Sequence, residues 1–128
     1  MNVEKIKVLY IEDETDLIDL VTLLLERSGK YTVFSTYQGE DGIKLAKEHN
    51  PDVILLDLMM PKMDGWEVYR QIREDEVTKL IPIVIVTAKA QGIDKVLGLE
   101  IAKVDGYITK PFDPIELFSI INERLSTL

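Results

Sequence analysis

The chain has 128 residues, 46% of them hydrophobic and 30% charged, a make-up that excludes disordered and fibrous classes, and at about 150 residues per domain the length predicts one domain over 1–128. The absence of cysteine excludes a disulfide scaffold, a thiolate zinc site and a cysteine nucleophile. A net charge of −8 argues against nucleic acid or anionic membrane as a direct partner, and with no apolar run near the roughly 18–20 residues of a membrane span and no signal-peptide core at the N-terminus, a cytoplasmic location is expected.

Hydrophobic period predicts alternating strands and helices along the chain. Ile6–Ile11 is the first strand, followed by the helical stripe Ile18, Val21, Leu24 and Leu25, which Thr15 and Asp16 can cap and Ser28-Gly29 ends. Tyr31–Ser35 is the second strand. Gly39–Asp41 opens a second helix through Ile43, Leu45 and Ala46 that stops at His49-Asn50-Pro51. His49, the only histidine, sits at that helix end as a favourable dipole partner rather than a ligand. Val53–Leu56 is the third strand, and Asp64-Gly65 precedes a third helix in which Trp66, Val68, Tyr69 and Ile72 take packing positions. Ile83–Val86 is the fourth strand and Gln91-Gly92 opens a fourth helix. Tyr107–Ile108, with the residues just before them, make the fifth strand, and Asp113-Pro114 starts a fifth helix carrying Leu117, Phe118, Ile121 and Leu125.

The runs VILLD and IVIVT are continuously apolar rather than alternating. Strands of that kind are buried on both faces, as in a parallel sheet covered by helices. Repeated βα units with right-handed crossovers then give a three-layer, doubly wound α/β domain.

In such sheets functional groups collect beyond the carboxyl ends of the strands. Those ends carry Glu12 and Asp13 after the first strand, Asp57 at the third, Thr87 at the fourth and Lys110 beyond the fifth. Three carboxylates against one ammonium leave a negative excess at close range, where each like-charge pair costs on the order of 1–4 kcal/mol. Either a carboxylate protonates or a divalent cation fills the site. The donors are all oxygens, a set suited to Mg²⁺ or Mn²⁺ rather than Zn²⁺. A metal there would also offset the repulsion felt by an incoming phosphate, so the site suits phosphoryl chemistry with one carboxylate as nucleophile.

The runs VLYIEDE, VILLDLMMPKMDG, IVIVTA and YITKPF, in this order, resemble the receiver domain of two-component response regulators along essentially the whole chain. The resemblance implies a CheY-like, flavodoxin-like (βα)5 fold with strand order 2-1-3-4-5. It implies that Asp57 is the phospho-acceptor; that Asp13 and Asp57 hold Mg²⁺ through carboxylates, Met59 through its backbone carbonyl and Glu12 through a bound water; and that Thr87 and Lys110 bind phosphoryl oxygens, Lys110 being positioned by a cis peptide before Pro111. Thr87, Ala88 and Tyr107 would complete the phosphate-binding and switch set, with Tyr107 turning inward as Thr87 moves toward the phosphate. Two departures stand out: Glu12 occupies a position where aspartate is also common, and Lys103-Val104-Asp105-Gly106-Tyr107 replaces the frequent GAxxY run.

The implied function is a phosphorylatable switch that assists its own phosphorylation and hydrolysis and is not otherwise an enzyme. Its implied partners are a sensor histidine kinase or histidine phosphotransfer protein, and a downstream target meeting the face formed by the fourth helix, fifth strand and fifth helix. It is expected as a monomer or a phosphorylation-dependent dimer, either standing alone or as part of a longer regulator or hybrid kinase. An aspartyl-nucleophile phosphatase of the haloacid dehalogenase type would need its nucleophile in a DxD pattern at the first strand and a cap insertion. A nucleotide-binding flavodoxin-like protein would need a glycine- or hydroxyl-rich phosphate loop where this chain has IEDETD.

Overall fold

The computed structural model describes residues 4–60, 63–87 and 106–126, with the backbone alone at 63, 87 and 126. β-Branched and aliphatic residues dominate its five main strands: β1 (Ile6–Ile11), β2 (Tyr31–Thr36), β3 (Val53–Asp57), β4 (Ile83–Thr87) and β5 (Gly106–Thr109). They form one sheet in the order β2-β1-β3-β4-β5, every neighbouring pair parallel. The fold is therefore the flavodoxin-like α/β sheet with the strand order implied by the resemblance. Every residue of β3 is buried, as the unbroken apolar run requires.

Because successive strand side chains point to opposite faces, the sheet supports two cores. Leu9, Ile11, Ile54, Leu56, Ile83 and Ile85 face one way, with Ala46, Val68, Tyr69 and Ile72 from α2 (Gly39–His49) and α3 (Gly65–Glu74). Val8, Tyr10, Val53, Leu55, Val84 and Val86 face the other way, with Val21 and Leu25 from α1 (Thr15–Arg27) and Leu117 and Ile121 from the final helix, Pro114–Ser126. Tyr31 Oη donates to Asn122 Oδ1 at 2.9 Å and fastens this last helix to the start of β2.

Helix boundaries follow local chemistry. Asn50 adopts the left-handed conformation, φ 47°, that ends α2 before Pro51. Asp64 caps α3 by accepting from the Trp66 backbone N–H, and Asp113 Oδ1 accepts from Glu116 N–H at 2.8 Å with Pro114 as the first helical residue. At α1 the expectation needs correction. Glu14, not Thr15 or Asp16, occupies the cap position, and it makes no side-chain cap bond. Its own N–H is taken by Glu12 Oε2 at 3.2 Å, so the strand-end acid, rather than a cap residue, organises this turn.

Met59–Met60 and Met63–Asp64 pair as a small antiparallel ribbon above β3, a feature that two residues a side are too short to signal in sequence. The predicted fourth helix from Gln91-Gly92, and Ala88, lie outside the described residues.

Candidate phosphoryl-acceptor site

Alternation along the strands assembles the site before any loop is considered. Glu12 lies two residues beyond Tyr10, and Asp57 two beyond Leu55, on the side occupied by α1 and the final helix. Ile11 is paired with Leu56, so Glu12 and Asp57 emerge side by side one residue further on. Ile108 faces the same core, and two residues later Lys110 enters the group from the far side of β4. The Lys110-Pro111 peptide is cis.

The distances confirm convergence. Lys110 Nζ lies 2.7 Å from Glu12 Oε1, 3.3 Å from Asp57 Oδ2 and 3.4 Å from Glu14 Oε1. One carboxylate oxygen each from Glu12, Asp13 and Asp57 falls within a 4.8 Å cluster. Asp57 Oδ1 accepts from the Met59 backbone N–H at 2.9 Å, which fixes the carboxylate plane. Glu12 and Asp57 are buried, Asp13 half-buried, and the Lys110 side chain only 11% exposed.

Burial and a hydrogen-bonding contact with Asp57 push the Glu12 carboxyl above its usual range; Lys110 and Tyr10 oppose this in part. For Lys110, burial alone would depress the ammonium, but Glu12, Asp57 and Glu14 outweigh it and raise the value, so the group stays charged. The arrangement is a buried cation surrounded by more negative charge than it neutralises. An all-oxygen cluster of this kind is suited to a small hard cation.

Of the residues singled out by sequence, Glu12, Asp13, Asp57 and Lys110 come together. Met59 lies beside them with an exposed side chain and its N–H on Asp57. The Thr87 backbone ends β4 next to Thr109, while its side chain lies outside the described residues. Tyr107 is 46% exposed on the edge strand β5.

Three participants were not singled out. Tyr10 donates its hydroxyl to Glu12 Oε1 at 2.8 Å; a tyrosine within the predicted first strand was the available signal, since a buried phenol needs a partner. Glu14 reaches Lys110, and its exposed carboxylate left no trace in the pattern. Gly65 was visible only as helix punctuation. A Cβ there would stand 2.4 Å from Leu58 Cα and 2.8 Å from the Asp57 carbonyl oxygen, so glycine is what lets α3 approach the acid-bearing strand end.

Fold and site together define a flavodoxin-like α/β domain that gathers acids and a lysine at the carboxyl edge of its sheet. The chain belongs to the response regulator receiver domain family, which it matches over residues 8–122, and is thus a receiver domain of two-component signalling. It is 45% identical over 122 residues to the alkaline phosphatase synthesis transcriptional regulatory protein PhoP of Bacillus subtilis, covering 95% of this chain and 48% of that protein, so it spans about half the length of that relative. Among solved structures it resembles the receiver domain of the sensor histidine kinase PA1611 from Pseudomonas aeruginosa, with 28% identity, a TM-score of 0.85 and coverage of 96% and 99% of the two chains; that structure holds magnesium in its active-site cleft. It also resembles the chemotaxis response regulator CheY4 of Vibrio cholerae, with 27% identity, a TM-score of 0.84 and coverage of 95% and 100%.

Proposed function

We propose that Asp57 accepts a phosphoryl group from the phosphohistidine of a sensor histidine kinase or histidine phosphotransfer protein, or from a small acyl phosphate. A carboxylate oxygen of Asp57 forms the new bond to phosphorus as the bond to the imidazole nitrogen or acyl oxygen breaks. The observation that carries this reading is a buried carboxylate at a strand end, 3.3 Å from a buried ammonium and clustered with two further acids.

The three clustered oxygens fit Mg²⁺, and the same donors accept Mn²⁺. Asp13 and Asp57 hold the ion through carboxylates and Met59 through its carbonyl. Glu12 acts through water, in keeping with both of its oxygens already receiving protein donors. When bound, the metal supplies charge neutralisation at the transferring phosphoryl oxygens.

Lys110 donates to one phosphoryl oxygen and Thr87 to another. Thr87, Ala88 and Tyr107 form the switch, in which exposed Tyr107 turns inward. Phosphorylation changes affinity for a downstream target at the face including β5 and the final helix, and the domain assists its own phosphorylation and hydrolysis. No described helix is long and apolar enough to cross a membrane, and we assign the chain to the cytoplasm as one domain. The PhoP relative is a transcriptional regulator, which favours an output exerted through a separate DNA-binding domain over contact between nucleic acid and this acidic unit.

Incubation with acetyl phosphate and Mg²⁺ should add the mass of one phosphate, labile to hydroxylamine, and Asp57→Asn should remove it. The same labile adduct in the variant would place the acceptor elsewhere.

A further inference from the structure

Tyr10 lies in the middle of the sheet, fully buried among Ile18, Val21, Leu55 and Val86 of the core beneath α1 and the final helix. Its hydroxyl is the only polar atom of its side chain, and it is spent on Glu12 Oε1 at 2.8 Å. The same oxygen receives Lys110 Nζ at 2.7 Å, while Oε2 takes the Glu14 N–H at 3.2 Å. Glu12 is thereby held by three donors from three directions. Among the described residues it is the nearest carboxylate to Lys110, nearer than Asp57 at 3.3 Å.

Glutamate has one more rotatable bond than aspartate, and that bond must be fixed if the carboxylate is to hold Lys110 in place. The phenol supplies the fixation on the core side. Length and partner are matched. An aspartate at position 12 would withdraw its oxygens by about one C–C bond, roughly 1.5 Å. The 2.8 Å contact with Tyr10 would then open beyond hydrogen-bonding range.

We propose that Tyr10 is a positioning residue of the phosphoryl-acceptor site. It acts through Glu12 to hold both the Lys110 ammonium and the glutamate wall of the Mg²⁺ cluster, and Tyr10 and Glu12 work as a matched pair. The inference rests on the function proposed above and adds a residue that touches neither metal nor phosphate.

The test is the Mg²⁺ dissociation constant, measured by calorimetric titration of the folded protein with Mg²⁺ alone, for wild type, Tyr10→Phe, Glu12→Asp and the double variant. Removing the partner that orients a metal-site carboxylate typically weakens metal binding about 10–100-fold, and Tyr10→Phe should fall at the lower end because Lys110 and Glu14 still hold Glu12. Glu12→Asp should lose affinity as well. The double variant should be no weaker than Glu12→Asp, because the shortened acid no longer reaches the phenol. A Tyr10→Phe protein with wild-type affinity, or a double variant whose loss is the product of the two single losses, overturns the inference while leaving the receiver function standing. A wild-type protein that binds no Mg²⁺ overturns both.

Should Tyr10→Phe fail to fold, NMR of the wild type and Glu12→Asp decides. The Tyr10 ¹³Cζ resonance, which reports hydrogen bonding of the phenol, should move when Glu12→Asp withdraws the acceptor that lies at 2.8 Å, and a resonance that stays in place in that variant overturns the proposal.

Discussion

Gly65→Ala should be among the most damaging single-methyl additions in this protein. The new Cβ would sit 2.4 Å from Leu58 Cα, 2.8 Å from the Asp57 carbonyl oxygen and 3.0 Å from the Leu58 carbonyl carbon, where optimal contacts between carbon atoms are about 3.5–4.0 Å. All three neighbours are backbone atoms, so no rotamer change relieves the overlap, and the first turn of α3 must separate from the end of β3 by roughly 1 Å. Overpacking of a well-packed interior costs about 1–3 kcal/mol, and backbone neighbours put this case near the top of that range. Replacing glycine by alanine within a helix returns up to about 1 kcal/mol, less at this first helical position. A net loss of about 2 kcal/mol corresponds to a fall in melting temperature of roughly 6–10 °C for a domain of this size. Because the Asp57 carbonyl is one of the atoms displaced, adduct formation from acetyl phosphate should also slow, and a misplacement of about 1 Å can cost on the order of a hundredfold in rate. Gly42→Ala is the internal control. The atoms nearest its Cβ would belong to the Ile11 side chain rather than to backbone, at 2.5 Å from Cδ1 and 2.8 Å from Cγ1, so a side-chain adjustment can relieve the overlap, and it should melt closer to wild type and retain its rate. Thermal melting by circular dichroism and the rate of mass gain measure the two effects. A Gly65→Ala protein that melts at or above the wild-type temperature and labels at the wild-type rate refutes the reasoning.

Lys110→Met should destabilise the protein in EDTA by about 3–5 kcal/mol, the usual result of removing one member of a buried ion pair, since Glu12 and Asp57 would lose the ammonium at 2.7 and 3.3 Å. Mg²⁺ should then raise the variant's melting temperature by more than the wild type's, and equal increments would argue against a shared charge imbalance. At the far end of the molecule the Lys47 ammonium, 2.8 Å from Asp75, and the Val77 N–H hold the Asp75 carboxyl below its ordinary value of 3.8. A lowered folded-state value contributes stability above pH 3.8 that is lost as pH falls through the folded value. Lys47→Met should return the Asp75 titration toward 3.8 by NMR and remove that share of the acid limb of the stability curve, and an unmoved titration would deny the pair any role.

The sheet and most of the site were legible because their signals are local and redundant. VILLD and IVIVT are too evenly apolar to be anything but doubly covered strands, and each ends in a residue such a run has no other reason to contain. Parity then brings Glu12, Asp57 and Lys110 to one face. What sequence could not deliver was pairing between side chains. Tyr10 looks like one more core residue until its hydroxyl is seen 2.8 Å from Glu12. The capping role given to Thr15 and Asp16 failed for a related reason, because local cap preferences took no account of Glu12 reaching forward to the Glu14 N–H. Gly65 was recognised at the start of a helix, but its close approach to Leu58 depends on the packing of α3 against β3.

Among the described residues the outermost strand, Gly106–Thr109, pairs with a neighbour on one side only, and it leads directly into Lys110. A slip of one residue along that seam would move the lysine by one strand rise, about 3.3 Å, and turn it toward the opposite layer of helices. The displacement equals the gap that now separates its nitrogen from Asp57. Single-residue insertions or deletions between Gly106 and Thr109 should therefore silence the domain even where it still folds, whereas substitutions at the outward-facing Tyr107 leave the lysine in place.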